Sequence, residues 1–97
     1  MKLSIVSTLY QSAPYIEEFY ARVSKVAFYL VGNDFEVVFV NDCSLDHSLD
    51  LAIKLREREP QNIIILDLSR NFGHHKAMMT GLRHASGDLI FLIDHSP

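Results

Sequence analysis

The chain of 97 residues suffices for one small domain, and with 48% hydrophobic and 22% charged residues it lies near the globular average, which excludes a disordered or collagen-like chain. At this length roughly 60–70% of the unfolded surface can be buried, so the core is modest and each packing partner counts. Twelve acidic against nine Lys and Arg residues leave a formal charge of −3 without a general basic face for nucleic acid, and the single Cys43 excludes an intrachain disulfide and suits a reducing, cytosolic setting.

The opening MKLSIVSTLYQ has one lysine and a short alternating apolar stretch in place of a signal peptide's long apolar segment. No apolar run approaches the ~20 residues of a membrane span, so membrane attachment is expected only through a further segment or a partner. A first strand is predicted over 3–9, LSIVSTL. The helix after it is expected to open at Ser12, with Pro14 in its first turn and Glu17 and Glu18 close behind. Its apolar stripe is Ile16, Phe19, Val23, Val26 or Ala27, and Leu30, and Gly32 within Val31-Gly32-Asn33-Asp34 is its C-cap.

FEVVFVN, 35–41, reads as the second strand. A second helix starts near Asp46 or Ser48, carries Leu49, Ala52, Ile53 and Arg56 at helical intervals, and is stopped by Pro60. NIIILDL, 62–68, is the third strand. The third helix covers 73–85 with Ala77, Met78, Gly81, Leu82 and Ala85 inward; Gly81 costs about 1 kcal/mol against Ala in a helix, which implies close packing there. DLIFLID, 88–94, reads as a fourth strand buried on both faces and delivers Asp94 at its end.

The β-α-β-α-β-α-β order, without repeats or an internal linker, predicts an α/β fold over residues 1–97: a three-layer α/β/α arrangement with a parallel, Rossmann-like sheet. Right-handed crossovers give the strand order 3-2-1-4 and a topological switch point between the first and fourth strands. Ligands bind beyond the carboxyl ends of the strands at such a point, where Tyr10, Asp42 and Asp94 fall.

Asn41, Asp42, Ser44 and Asp46 crowd the turn after the second strand. A carboxylate at Asp42 can accept hydrogen bonds from a base or a ribose, whereas Ser44 and Asp46 are equally readable as helix N-caps. Arg70, His74, His75 and Lys76 fall where the third strand hands over to the third helix, and such a cluster reads either as a phosphate site or as a solvated basic turn. Adjacent histidines point in different directions on a helix and no third ligand stands at zinc spacing, so zinc is not expected. GxGxxG, GxxxxGK[ST] and G-x-S-x-G are all absent.

LSIVSTLYQSAPYIEEFY, FEVVFVNDCSLDHSLDL and LSRNFGHHKAMMTGLRHASGDLIFLID together resemble the N-terminal half of an inverting family 2 glycosyltransferase of the GT-A fold, most similar to the polyprenyl- and dolichol-phosphate sugar transferases. The resemblance implies that Thr8, Tyr10 and Asp42 hold the nucleotide base, that Arg70, Asn71 and Gly73 form the turn near the nucleotide, and that Asp94 is the first acid of a metal-binding D-x-D element. It implies a UDP- or GDP-sugar donor, Mg2+ or Mn2+, and a polyprenyl phosphate or saccharide acceptor.

The expected Asp-x-Asp is Asp94-His95-Ser96 here, so the second acid is missing, and YQSAP stands where the family more often has Tyr-Asn and acids. The acceptor half and general base are absent as well, so these residues are read as a truncated donor-binding domain without activity of its own. The alternatives are a non-catalytic nucleotide-sugar-binding or interaction module and a receiver domain, the last lacking its early acid pair and late lysine. With the fourth strand at a sheet edge and no Pro or Lys in 88–94, a homodimer through that edge is expected.

Overall fold

The computed structural model describes residues 2–9, 15–41, 48–68 and 74–93, with His74 and His75 as backbone only. Within these residues the elements are β1 (Leu3–Leu9), α1 (Ile16–Val31), β2 (Phe35–Asn41), α2 (Ser48–Arg58), β3 (Ile63–Asp67), α3 (His74–His84) and β4 (Leu89–Ile93). The strands form one parallel sheet in the order β3-β2-β1-β4, as the alternation predicts.

Strand alternation assigns each face of the sheet its own core. Leu3, Ile5 and Leu9 of β1 with Phe35, Val37 and Phe39 of β2 pack against Ile16, Tyr20 and Ala27 of α1 and Ala52 and Leu55 of α2. Phe19 meets Phe39 edge-on, with ring centroids 6.2 Å apart. On the other face Val6, Val38 and Val40 pack against Ala77 of α3. Every residue of β1 and β2 is buried in consequence.

Helix phases differ in part from the sequence expectation. In α1 the alternative between Val26 and Ala27 resolves to Ala27, while Val26 and Leu30 are more than half exposed and Tyr20 is buried. In α2 the buried set is Ser48, Ala52 and Leu55, not Leu49, Ala52, Ile53 and Arg56. Two stripes one residue out of phase compete on this helix, and the sheet selects the one ending at Leu55. The last turn closes with Glu59 N–H donating to Leu55 O at 3.0 Å, directly before Pro60. α1 begins at Ile16 after Tyr15, which makes no side-chain cap bond, while Ser12, Pro14 and Asp46 lie outside the described residues. Gly32 closes the helix as expected, with φ +68° and ψ −136°, a positive-φ backbone outside the αL well that glycine alone adopts readily, and its N–H donates to Phe28 O at 2.8 Å.

β4 corrects a second expectation. Leu89, Phe91 and Leu92 are 47–49% exposed, because β4 pairs with β1 on one side and has no strand on the other among the described residues. A buried apolar run and an edge strand awaiting a cover look alike in sequence.

At the amino edge of the sheet a buried carboxylate ties three elements together. Glu36, 4% exposed, accepts from Ser4 Oγ at 2.7 Å and, at the same oxygen, from the Ser86 N–H at 2.7 Å. Its other oxygen accepts from Ser86 Oγ at 3.1 Å and faces Lys2 Nζ at 3.3 Å. Gly87 N–H donates to Ser4 Oγ at 2.8 Å, so β1, β2 and the turn before β4 share one network. Burial alone would raise the Glu36 pKa, but the bonds from Ser86, Ser4 and Lys2 outweigh it and hold the carboxyl below its usual range.

Two outcomes follow for stability. Gly81 of α3 sits so close to the sheet that an added methyl would collide with Val6 Cγ1 and stand 2.8 Å from Val40 Cγ2. Gly81→Ala is expected to destabilise by about 1–3 kcal/mol in urea unfolding, because overpacking exceeds the ~1 kcal/mol gained in helix propensity. For Glu36, a depressed folded pKa means that its stabilisation is present above the unfolded carboxylate value of about 4.3 and is lost as pH falls through the folded value. Urea unfolding between pH 7 and 3 should show that acid-side loss in the wild type. Glu36→Gln should be less stable at pH 7 and flatter across the same window.

Candidate functional site: the carboxyl edge of the sheet

Parallel pairing brings the four strand ends to one edge. Leu9 stands opposite Asn41, Asn41 opposite Asp67, and Ile93 opposite Ser7, so the ends agree within two residues. The chain order reverses between β1 and β4, which makes this edge the switch point of the sheet.

Thr8, one residue before the end of β1, pairs in register with Val40 and is 3% exposed. Tyr10 is joined to Leu9, Asp42 to Asn41 and Asp94 to Ile93, while Arg70, Asn71 and Gly73 fall between β3 and α3; these six positions lie outside the described residues. Chain connectivity therefore starts Tyr10, Asp42 and Asp94 one residue beyond strands that end at this edge. Among the sequence-predicted site residues, side-chain geometry is described for Thr8.

Asn41, named in the sequence only among the polar residues crowding the turn after the second strand, meets Asp67, which was not singled out, at this edge. Asn41, 5% exposed, donates from Nδ2 to Asp67 Oδ1 at 2.8 Å, and its carbonyl accepts from the Leu68 N–H at 2.9 Å. Their common register position in neighbouring parallel strands was the available signal, but it exists only once the strands are aligned.

Among the described residues no group of three or more His, Cys, Asp or Glu side chains could hold a metal ion. Asp67 is engaged with Asn41, so the described part of the edge does not by itself fit a hard divalent ion, which takes several oxygens. Another concavity, between the C-terminal half of α1 and the amino ends of β2 and β3, is lined by Tyr20, Lys25, Glu59 and Asn62. Burial, then the charge of Glu59, push the Tyr20 phenol up to about 12, against the opposing Arg58, so it stays neutral at ordinary pH. No helix among the described residues is long and apolar enough to cross a membrane.

Comparison with known proteins bears on this edge. Residues 4–95 match the family described as Glycosyl transferase family 2. A Mycobacterium tuberculosis (strain CDC 1551 / Oshkosh) protein assigned to the glycosyltransferases is 53% identical over 94 residues, 97% of this chain and 27% of its own length. The undecaprenyl-phosphate 4-deoxy-4-formamido-L-arabinose transferase of Enterobacter sp. (strain 638) is 34% identical over 93 residues, 96% of this chain and 28% of its own length. The chain thus spans about a quarter of these relatives.

The crystal structure of S. aureus TarS 1-349 superposes with a TM-score of 0.82 at 33% identity, covering 97% of this chain and 27% of that one. The mannosyltransferase PcManGT from Pyrobaculum calidifontis, solved with GDP-Man and Mn2+, superposes at 0.84 with 24% identity over 96% of this chain and 27% of that one, which speaks to fold alone. The parallel α/β sheet agrees with these GT-A neighbours. With the family match running from the second residue of β1 to two residues past the end of β4, and with relatives well above the level at which fold alone is shared, the chain belongs to glycosyl transferase family 2.

Proposed function

We propose that the chain is the donor-binding portion of an inverting glycosyltransferase, which in its complete form moves a sugar from a UDP- or GDP-sugar to a polyprenyl phosphate or saccharide acceptor. The convergence of all four strand ends on the switch-point edge carries this reading, since that edge is where α/β sheets bind ligands. Support comes from TarS, solved with UDP and with UDP-GlcNAc, and from the undecaprenyl-phosphate relative.

In this reading Thr8, Tyr10 and Asp42 contact the base, and Arg70, Asn71 and Gly73 lie near the diphosphate. The acceptor oxygen attacks the anomeric carbon as the bond to the nucleoside diphosphate breaks, and a base beyond these 97 residues takes the acceptor proton. Mg2+ or Mn2+ would absorb leaving-group charge in the complete enzyme, with Asp94 as one ligand, but Asp94-His95-Ser96 does not supply the usual pair of acids. That departure favours a second reading, a nucleotide-sugar-binding module without catalysis. Either reading suits a cytoplasmic domain that reaches a membrane through a further segment or a partner.

Titration with UDP and GDP by NMR tests the site. Weak binding with shifts at positions 8, 10 and 42 is expected, without measurable sugar transfer by the chain alone. Shifts confined to distant residues overturn the placement, and turnover by the chain alone overturns the assignment of the base to other residues.

We further propose a homodimer through β4. Its outer edge has no strand neighbour among the described residues, and Phe91 forms one apolar groove with Val26 and Leu30 of α1, each about half exposed or more. Identical edges related by a two-fold pair antiparallel, which would join two sheets and bring both grooves to the axis. Light scattering at several concentrations should show a wild-type dimer that Leu92→Lys disrupts. A wild-type monomer at high concentration, or a dimer indifferent to the lysine, rules the edge out.

A further inference from the structure

We propose that Asn41 and Asp67 act as a pair of positioning residues that fix the relative placement of the chain entering Asp42 and the chain entering Arg70; the inference rests on the donor-site reading above. A carboxylate accepts and does not donate, so the 2.8 Å contact must run from the Asn41 amide N–H to Asp67 Oδ1, which fixes the amide's orientation. Asn41 is 5% exposed, and a buried amide N–H left without its acceptor is costly, whereas Asp67 is exposed and could remain solvated without it. The pairing therefore matters chiefly to Asn41.

The ladder that holds parallel strands together ends at this edge. Here β2 and β3 are tied twice, by the Leu68 N–H to the Asn41 carbonyl at 2.9 Å and by the side-chain bond. The peptide after Asn41 leads into Asp42, and Leu68 is two residues before Arg70. Both segments assigned to the nucleotide thus start from one anchored platform. Prior placement of such groups spares a bound nucleotide the cost of ordering them.

The test compares UDP and GDP titrations of the full chain with Asp67→Leu and Asp67→Asn, each with its thermal unfolding midpoint. Asp67→Leu should lower the midpoint by several degrees, the cost of the buried amide's lost acceptor, and, titrated well below that midpoint, should weaken the nucleotide that the wild type binds by about five- to tenfold, the usual effect of losing one such bond. Asp67→Asn keeps an acceptor oxygen and should bind as the wild type does. The Asn41 side-chain amide protons should exchange slowly in the wild type and in Asp67→Asn and rapidly in Asp67→Leu. Asp67→Leu binding like the wild type, or Asp67→Asn as weak as Asp67→Leu, overturns the positioning role alone. A wild type that binds neither nucleotide overturns the donor-site reading and this inference with it.

Discussion

Burial of β1 and β2 on both faces is the constraint on which the rest of the molecule depends. A strand with no exposed face needs apolar residues at odd and even positions alike, and Leu3-Ser4-Ile5-Val6 and Phe35-Glu36-Val37-Val38 meet that need with small or paired polar residues at the exceptions. Once these two strands pair in parallel, each crossover helix must lie on a face. α1 and α2 cover the side of Phe39, and α3 covers the side of Val6 and Val40. The direction of the strands then brings their carboxyl ends to one edge without any further device.

The two edges of the sheet are finished in different chemical styles. At the amino edge, Glu36 is saturated: both oxygens are taken by Ser4, Ser86 and Lys2, and the turn before β4 is drawn onto the start of β1 by Asp88 N–H donating to Lys2 O at 2.7 Å. Polar groups consumed so completely by the fold have nothing left for a ligand, so this edge serves as a staple. At the carboxyl edge the described residues include a side-chain tie between Asn41 and Asp67, and the polar residue types Asp42 and Arg70 follow these strands in the chain. This division of labour is common where a rigid scaffold presents functional loops.

Strand order and helix sides were legible in the sequence because the β-α alternation and the handedness of crossovers leave few arrangements open. Gly81 was legible as a contact point, since a helix-interior glycine needs a reason and Val6 and Val40 supply it. The phase of α2 was not: Leu49, Ile53 and Arg56 make as good a stripe as Ser48, Ala52 and Leu55 until the sheet below is known. Glu36 was not legible either. A single acid in an apolar strand marks no partner, and its partners lie at Ser4, 32 residues back, and Ser86, 50 residues ahead. The same holds for Asn41 and Asp67, whose meaning comes from register. Local patterns carried the architecture, and pairings distant in sequence carried the polar detail.

The flank of β4 shows how an apolar surface and a charged sequence coexist in one small chain. Its three half-exposed residues point to both sides of the sheet: Leu89 and Phe91 to the α1 side, Leu92 to the α3 side. On the α1 side the exposed Val26 and Leu30 continue the same surface, and the groove between is lined almost wholly by carbon, with Arg22 at its rim. Among the described residues, this edge is apolar on both faces and has no strand along its outer backbone, which combines two demands of burial with one of hydrogen bonding. A helix laid across one face could meet one of these demands, whereas an added strand meets the backbone demand and extends both faces for others to cover.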